Sequence, residues 1–374
     1  MGDKMLRKFS VKNFRNFNEK IKLDFTNKRD YQFNQNCIKD NLLNKLIVFG
    51  KNGSGKSNFG YALFDIVMTL TDKGISPELL SVNEFLNADS SSNIAEFCYE
   101  FKFENDIIKY SYSKSALQVI AYEELFINDL KIFSFDFNTK AGDFSNISKI
   151  GAESLKFEKE KLSFSFLRLI ANNTIQDAES PIKKLLDFVN NMLWFRSLIN
   201  NSYIGLTTDV VDVESWIIKN SLISELKTFL KDFAELNLDF NSLTLGNANV
   251  LLEKHKHRQL QFSTVKSSGT TALLIFFYWS RQFEKASFLF IDEFDAFYHY
   301  ELAQKIIQYI LDIGKIQAIL TSHNTHLADN NLLRPDCLFQ LENGKLMSFA
   351  DSTDRELREG HNIEKMLRQG EFNE

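Results

Sequence analysis

A glycine-rich octapeptide at residues 50–57 has the residue types and the spacing that bind phosphate. Its sequence is Gly50-Lys51-Asn52-Gly53-Ser54-Gly55-Lys56-Ser57, which fits the pattern G-x-x-x-x-G-K-[ST]. Glycines allow the backbone to wrap around a phosphate, and a helix that follows presents its positive end to the same anion. Lys56 would neutralise charge on the β- and γ-phosphates, and the Ser57 hydroxyl would bind Mg²⁺. The octapeptide therefore predicts an ATP and Mg²⁺ site.

Two adjacent carboxylates, Asp292 and Glu293, end an apolar run that begins at Phe288. Such a run is typical of a buried strand, and ligands of open α/β sheets bind at the carboxyl ends of the strands. We expect Asp292 to orient Mg²⁺ and its waters, and Glu293 to polarise the attacking water as general base. The alternative role for these acids is a helix N-cap after a strand.

A third strand, residues 317–323, ends in the polar triplet Thr-Ser-His. We expect His323 to reach the γ-phosphate or the attacking water, because this strand follows the acidic one in the chain. A single histidine at such a position can also be a structural hydrogen-bonding group. Both roles remain open from the residues alone.

The elements that must position these residues show distinct hydrophobic patterns. Residues 6–15 alternate between apolar and polar and predict a strand that pairs with residues 21–25. Residues 46–50 are a short apolar run, typical of a buried parallel strand, and residues 58–70 have helical spacing. Residues 94–137 alternate with a period of two, which predicts an antiparallel β lobe with a turn at 105–106.

The pattern becomes helical from about residue 153 to residue 236. The Ser-Pro pairs at 76–77 and 180–181 are typical of helix starts. One face of an amphipathic helix is marked by Leu222, Leu226, Phe229, Leu230 and Phe233. Heptads are not sustained, so no long coiled coil is expected. We predict an α/β fold in three parts. They are residues 1–150 with the glycine-rich loop and the β lobe, 151–250 as a helical insertion, and 251–374 with the acidic strand and His323.

Composition limits the class of protein. The chain has 374 residues and a net charge of −5, so the molecule as a whole is not an electrostatic nucleic-acid binder. A local basic groove stays possible, and residues 255–258 are the densest basic cluster.

The three cysteines are far apart in the sequence and form no CxxC pair, which favours reduced thiols in a cytoplasmic protein. No apolar run approaches the ~18 residues of a membrane span.

Together, these motifs resemble the ABC-type ATPase heads of the SMC, RecF and OLD group. Residues 13–15 look like the N-F-R motif of that group, 267–270 lie at its signature motif, 295–299 in its D-loop region and 322–324 at its switch histidine. The resemblance covers roughly residues 5–70 and 255–345. It implies a P-loop NTPase fold of the ABC-ATPase head type. The residues implied to contact the nucleotide are Gly50, Asn52, Gly53, Ser54, Gly55, Lys56, Ser57, Asn58, Arg15, Ser267 and Gly269.

By this resemblance the signature motif works in trans, so that two ATP molecules are sandwiched in a homodimer. Ser267 and Gly269 of one subunit would meet the γ-phosphate held by the P-loop of the other. The motif reads Ser-Ser-Gly-Thr here, where the group carries Leu-Ser-Gly-Gly-Gln. No motif places the Q-loop glutamine of the group, and Gln176 is the candidate.

A narrower resemblance links the chain to the RloA/AbiL-type ATPases of bacterial defence, including the AriA ATPase of PARIS. It depends on Ser-x-Gly-Thr, on His299 six residues beyond Glu293, and on the segments 332–336 and 358–370. Those ATPases act with a separately encoded effector, often a TOPRIM-type nuclease or a toxin. The resemblance implies a regulatory ATPase of an anti-phage complex, working as a homodimer or higher homo-oligomer with such an effector.

Three further expectations remain open. Residues 353–370 are predicted as one helix with a capping box at Thr353 and Glu356, serving either for packing or for docking a partner. The alternative function is a DNA-repair ATPase clamp of the RecF or SMC kind, for which DNA binding would be salt-sensitive. A transporter subunit is disfavoured, because the N-F-R opening and the β lobe point elsewhere and no membrane partner is implied.

Overall fold

A computed structural model describes residues 4–73, 84–197, 202–206, 212–245 and 248–372. The strands are β1 (Lys4–Lys12), β2 (Ile21–Asp24), β3 (Ile38–Lys39), β4 (Leu42–Leu43), β5 (Lys45–Phe49), β6 (Ala95–Phe103), β7 (Asp106–Ala116), β8 (Val119–Ile127), β9 (Leu130–Asp136), β10 (Gly142–Asp143), β11 (Met192–Arg196), β12 (Ser202–Gly205), β13 (Phe240–Leu245), β14 (Ala248–Lys254), β15 (Gln259–Gln261), β16 (Phe288–Asp292), β17 (Gln317–Ser322), β18 (Leu338–Glu342) and β19 (Lys345–Ser348). The helices are α1 (Lys56–Leu70), α2 (Phe166–Asn173), α3 (Pro181–Asn190), α4 (Val213–Lys219), α5 (Ile223–Ala234), α6 (Phe262–Val265), α7 (Ser268–Ser280), α8 (Tyr300–Asp312) and α9 (Ile363–Arg368).

A central sheet with the strand order β12-β11-β16-β17-β5-β18-β19 contains the strands of the predicted motifs. The strands from β11 to β18 are parallel, and β12 and β19 are antiparallel at the two edges. Strands β5, β16 and β17 are buried along their whole length, as is usual for parallel strands covered on both faces. Their carboxyl ends therefore meet at one edge of the sheet.

An antiparallel sheet forms the predicted β lobe and has the order β10-β9-β8-β7-β6-β1-β2. Strand β1 pairs with β2 on one side and with β6 on the other, which confirms the predicted pairing of the N-terminal strand. Strands β6 and β7 form the predicted hairpin. Glu104 at its turn has φ 56°, in the left-handed region that tight turns use. The α/β fold with an antiparallel lobe is confirmed.

Helix α1, which follows the glycine-rich loop, lies between the two sheets. The Phe59 ring is 5.8 Å from Phe9 of the antiparallel sheet and 6.4 Å from Phe290 of the central sheet. A side chain at Gly60 would meet Trp194, because a Cβ placed there lies 2.8 Å from its Cζ2. Nearly all residues of the helix are buried, which is the pattern of a helix enclosed on all sides.

A buried ion pair joins α1 to the antiparallel sheet. Lys114 of β7 places its Nζ 2.7 Å from Oδ2 of Asp65, and the exposed fractions of the two side chains are 2% and 0%. The hydroxyls of Tyr112 and Thr69 donate to the same carboxylate oxygen, at 2.9 and 3.1 Å. A charged pair out of water is held only by close geometry and further hydrogen bonds, and both are present here.

The region from 151 to 250 contains helices and also two strands, β11 and β12, that the sequence pattern did not predict. Helix α3 begins at the predicted Ser-Pro pair, where the Ser180 hydroxyl accepts a hydrogen bond from Lys183 N. Strand β11, however, belongs to the central sheet, parallel to β16. The boundaries at residues 150 and 250 stay a prediction. The helix start predicted at Ser76-Pro77 lies outside the described residues.

The prediction of one helix over residues 353–370 is wrong. The helix begins at Ile363, and Asn362 is its N-cap. The Thr353 hydroxyl accepts from Arg355 N in a short turn and does not cap a helix. The Asn330 side-chain amide lies within hydrogen-bond distance of the carbonyl oxygens of residues 358, 359 and 361, which therefore take no part in a helix ladder. The segment packs against the chain that follows β17.

None of the helices within the described ranges is both long and apolar enough to cross a membrane.

Lys45, the first residue of β5, is a buried lysine without a carboxylate partner among the described residues. Its exposed fraction is 1%, and its Nζ donates to the carbonyl oxygen of Ile316. Burial lowers the pKa of Lys45 from 10.5 to about 7. The charge of Cys37 raises the pKa of Lys45, and the charge of Lys39 lowers it further. The folded chain thus releases this proton at a lower pH than the unfolded chain does.

The first prediction concerns the pH dependence of stability. Between pH 7 and pH 9 the unfolded chain binds more protons at Lys45 than the folded chain, so this residue makes stability rise with pH. Lys45→Met removes that contribution. We expect the free energy of unfolding to rise between these two pH values by about 2 kcal/mol more in the unsubstituted chain than in the variant. Urea unfolding at both pH values measures the difference. The exposed Lys161→Met is the control, and equal pH slopes for all three chains would contradict the buried, neutral lysine.

A candidate nucleotide site at the carboxyl edge of the central sheet

The glycine-rich loop connects the end of β5 to the start of α1, in the predicted order of strand, loop and helix. Gly53 and Gly55 have φ values of 80° and 104°, which favour glycine. A Cβ on Gly55 would lie 2.1 Å from Asn16 Nδ2, and one on Gly50 would lie 2.4 Å from Ser54 Oγ. Side chains at these positions would thus collide with Asn16 and Ser54. The buried Ser54 hydroxyl has no hydrogen-bond partner among the described residues. The loop fits a phosphate.

The Lys56 side chain lies inside the loop. Its Nζ donates to the carbonyl oxygens of Gly50 and Lys51 at 2.8 and 3.3 Å. The same nitrogen is 3.0 Å from Oε1 of Glu293, at the end of β16. The amine is therefore held between the loop and the acidic strand, at the point where the two motifs meet.

Asp292 and Ser57 face each other across α1 and β16. The Ser57 hydroxyl donates to Oδ2 of Asp292 at 2.7 Å, and the Thr321 hydroxyl donates to Oδ1 at 2.7 Å. Burial raises the pKa of Asp292, and the hydrogen bonds from Ser57 and Thr321 oppose that rise. A hydroxyl and a carboxylate side by side are oxygen ligands of the kind that Mg²⁺ prefers, so this pair fits the predicted metal.

Glu293 is held at both carboxylate oxygens. Lys56 lies at Oε1, and Nδ1 of His323 is 3.0 Å from Oε2. The Glu293 backbone has φ 49°, and its N–H donates to the Thr321 hydroxyl at 2.8 Å. His323 is half exposed at the tip of β17. The structure thus brings together the three residues predicted to carry the chemistry.

The segment after Glu293 is fixed to the end of β17. The Ser322 hydroxyl donates to Oδ2 of Asp295 at 2.9 Å and accepts from Asn324 N at 2.9 Å. Burial raises the pKa of Asp295, and the hydrogen bond from Ser322 opposes that rise. Movement of either segment would therefore affect the other.

Residues 13–16 lie against the start of α1. Arg15 has φ 48°, its Nη1 donates to Oδ1 of Asn58 at 3.0 Å, and its guanidinium is 4.2 Å from the Tyr61 ring centre. Burial lowers the pKa of Arg15. Asn16 donates from Nδ2 to the Ser54 carbonyl oxygen at 3.3 Å. Arg15, the last residue of the predicted N-F-R motif, therefore lies beside the glycine-rich loop.

Ser267 and Gly269 lie apart from these contacts. Ser267 is the exposed N-cap of α7, and in the described part of the chain its polar contacts are with Thr270 and Thr271. A Cβ on Gly269 would lie 3.3 Å from the Phe297 carbonyl oxygen, beside the segment predicted as the D-loop. Their predicted contact with a nucleotide in trans stays a prediction.

Gln176, the candidate for the Q-loop, is not at this edge. Its Nε2 donates to the Ile150 carbonyl oxygen at 3.0 Å and to the Thr174 hydroxyl at 2.7 Å. It lines a cleft with Leu70 and Lys73, at the end of α1 that is opposite to the P-loop. The choice of Gln176 as the candidate is wrong, because no hydrophobic pattern connects this residue to a strand of the central sheet.

Arg196 is a residue of this edge that the sequence reasoning missed. It ends β11, lies opposite Asp292 in the parallel register, and donates from Nη1 to the Tyr61 hydroxyl at 2.7 Å. A signal was present, since an apolar run from Met192 to Phe195 ends in this charged residue just as the run before Asp292 does.

A protein-family model described as "AAA domain, putative AbiEii toxin, Type IV TA system" matches residues 46–329, which is more than half of the chain. The matched range contains the glycine-rich loop, both carboxylates and His323. No curated protein matches the sequence.

Three similar solved structures are SMC heads. One is an SmcHead bound to the C-winged helix domain of ScpA, with 14% identity and a TM-score of 0.47, covering 92% of this chain and 97% of that chain. The second is the SMC head domain from Thermotoga maritima, with 13% identity and a TM-score of 0.44, covering 92% and 98%. The third is the Pyrococcus furiosus Smc head domain with an extended coiled coil, bound to the C-terminal domain of ScpA. It has 15% identity and a TM-score of 0.44, covering 98% of each chain.

The second prediction tests the hydrogen bonds that hold the acidic strand end. Thr321→Val keeps the side-chain shape but removes the donor to Asp292 and the acceptor of the Glu293 N–H. We expect the free energy of unfolding to fall by about 1–3 kcal/mol, because buried polar groups lose their partners. Chemical unfolding measures the loss. The exposed Thr228→Val is the matched control, with a change within about 0.5 kcal/mol. A loss at Thr321 no greater than that of the control would show that these bonds do not stabilise the edge.

Proposed function

The chain belongs to this AAA-domain family, and we propose that it binds ATP with Mg²⁺ at the carboxyl edge of the central sheet and hydrolyses it to ADP and phosphate. The observation that carries the proposal is the contact between Lys56, inside the glycine-rich loop, and one carboxylate oxygen of Glu293. His323 contacts the other carboxylate oxygen of Glu293. These groups come from three separate parts of the sequence and meet at one point.

The loop and the start of α1 would bind the triphosphate. Backbone N–H groups of residues 50–57 and the positive end of α1 favour an anion at this place. Asn58 and Arg15 lie next to each other at the side of the loop, where their polar groups would contact the nucleotide. Ser57 and Asp292 would hold Mg²⁺, which neutralises phosphate charge when it is bound.

Glu293 would act as general base, with Lys56 and His323 controlling its carboxylate. The Lys56 amine pairs with Oε1 of Glu293, and phosphates would compete for the same amine. A bound triphosphate would thereby free Oε1 to accept a proton from water. Meanwhile His323 keeps Oε2 in place, so the base stays oriented.

The exposed position of Ser267 supports a working dimer. The hydroxyl caps the start of α7 and is open to a second molecule. In the proposed arrangement Ser267 and Gly269 of one subunit meet the γ-phosphate bound by the other, so ATP joins the two subunits. Hydrolysis would then separate them.

We further propose that the chain is the regulatory subunit of an anti-phage defence complex with a separately encoded nuclease or toxin as effector. The description of the matching family includes "putative AbiEii toxin, Type IV TA system", which supports a role in bacterial conflict. The motif resemblance to the RloA/AbiL-type ATPases supports the same role. In this proposal the ATP-bound dimer senses a phage product and restrains or releases the effector.

The third prediction tests the ATPase site. Glu293→Gln removes the base but leaves the loop intact, so ATP binding should persist while turnover falls by about 10²-fold or more. The ATP-bound form should also accumulate as a dimer. Lys56→Ala should weaken nucleotide binding instead. Steady-state phosphate release, nucleotide titration and light scattering separate these effects. Normal turnover in Glu293→Gln would remove the glutamate as base, and normal ATP binding in Lys56→Ala would refute the loop assignment.

The fourth prediction tests the partner. Tagged Glu293→Gln protein, purified from its native host, should retain a stoichiometric nuclease or toxin encoded next to it. Lys56→Ala is the matched control and should retain less, because the ATP-bound dimer is weakened. Mass spectrometry and nucleic-acid staining of the eluate give the readout. Recovery of DNA without a protein partner would favour the repair-clamp function over the defence complex.

A further inference from the structure

Arg196 is a buried guanidinium without an anionic partner in the described part of the chain. Its exposed fraction is 3%, and no carboxylate among the described residues lies within 4.0 Å of it. Its Nη1 donates to the Tyr61 hydroxyl, and its Nε has no hydrogen-bond partner in the described chain. Arg334 shows the usual arrangement, because it is equally buried and bonds to Asp336 through Nε and Nη2 at 2.8 and 2.7 Å. A buried charge without a partner is costly, so Arg196 is suited to bind an anion other than the described carboxylates.

The position of Arg196 identifies which anion it faces. Residues opposite each other in a parallel pair share a face of the sheet, and Arg196 lies opposite Asp292. The Ser197 N–H donates to the Asp292 carbonyl oxygen at 3.2 Å, which fixes the two strand ends together. On α1, Ser57 and Tyr61 are four residues apart and lie on one face. Ser57 bonds to Asp292 and Tyr61 bonds to Arg196, so the guanidinium lies next to the proposed metal site.

A second guanidinium, that of Arg15, also lies near the Tyr61 ring and adds to the positive charge. Arg15 is 4.2 Å from the Tyr61 ring centre and Arg196 is 5.8 Å from it, and the Nε of each has no partner among the described residues. The opposite charge at this edge comes from the buried carboxylates of Asp292, Glu293 and Asp295. These acids would repel a triphosphate, and Lys56 is already paired with one of them. A cation at position 196 offsets that repulsion.

We propose that Arg196 binds the terminal phosphate of the nucleoside triphosphate, on the metal side of the site, with Tyr61 holding the guanidinium in position. The inference rests on the proposed ATP-binding function. The planar guanidinium suits two phosphate oxygens at once, which an ammonium group does not match. Because ADP has no γ-phosphate, Arg196 makes the site prefer the triphosphate to the diphosphate.

The fifth prediction compares ATP with ADP in Arg196→Gln. We expect the affinity for Mg²⁺·ATP to fall by about 10- to 100-fold, the loss of a charged hydrogen bond, and that for Mg²⁺·ADP to change by less than about 3-fold. The turnover rate should fall as well. Arg196→Lys should recover part of the ATP affinity, and Tyr61→Phe should lower it a few-fold by releasing the guanidinium. The matched control is Arg168→Gln. Arg168 belongs to α2 and donates to the Thr71 carbonyl oxygen, just beyond the C-terminal end of α1. This substitution should leave both affinities unchanged.

Isothermal titration of each nucleotide and thermal unfolding of each variant decide between the outcomes. Equal losses for ATP and ADP, or no loss for either, would overturn the role of Arg196. If Arg196→Gln does not fold, Arg196→Lys decides, and an unchanged ratio of ATP to ADP affinity in that variant overturns the inference. If Lys56→Ala loses binding while the ratio in Arg196→Gln stays normal, only this inference fails. If the unsubstituted chain binds neither nucleotide, the proposed function fails and the inference fails with it.

Discussion

The enclosure of α1 between two sheets is the constraint on which the rest of the structure depends. The helix contacts aromatic side chains of both sheets, so nearly its whole surface is apolar apart from its first turns and one buried ion pair. Only its N-terminal end opens to the carboxyl edge of the central sheet. The glycine-rich loop must therefore lie at that edge, where the strands that carry Asp292, Ser322 and Arg196 also end. Packing of the apolar body of one helix thus decides where the polar chemistry is placed.

The edge balances a high density of negative charge with a small number of fixed partners. Asp292 and Asp295 are buried enough to raise their pKa, yet each receives a hydrogen bond from a hydroxyl of β17. Glu293 lies between an amine and an imidazole. Charged groups in such a place are stable only when their partners are already in position, and this also prepares the groups to act on a ligand.

The sequence predicted those parts of the molecule in which local pattern and tertiary environment agree. The two-residue alternation of the β lobe, the helical spacing of α1 and the apolar runs before Gly50 and Asp292 all correspond to observed elements. The apolar run before Arg196 indicates a strand end, but β11 is about a hundred residues from its neighbour β16, and the run does not report that the two strands pair. The tail was predicted as one helix because a capping pattern was present, but the long-range contacts of Asn330 decide its conformation. Gln176 was the wrong candidate because residue type alone does not say which edge of a sheet a side chain reaches.

The ion pair between Asp65 and Lys114 has a consequence for how the sequence can change over generations. Replacing either residue alone leaves an uncompensated charge in the interior, at a penalty of about 3–5 kcal/mol, which is a large share of the stability of a typical domain. Replacing both with apolar residues of similar volume is far less harmful. A descendant can therefore leave this arrangement only through a double substitution or through an intermediate already stabilised elsewhere. Among descendants that keep the fold, positions 65 and 114 should vary together. Sequences in which only one of these two residues has been replaced should be rare.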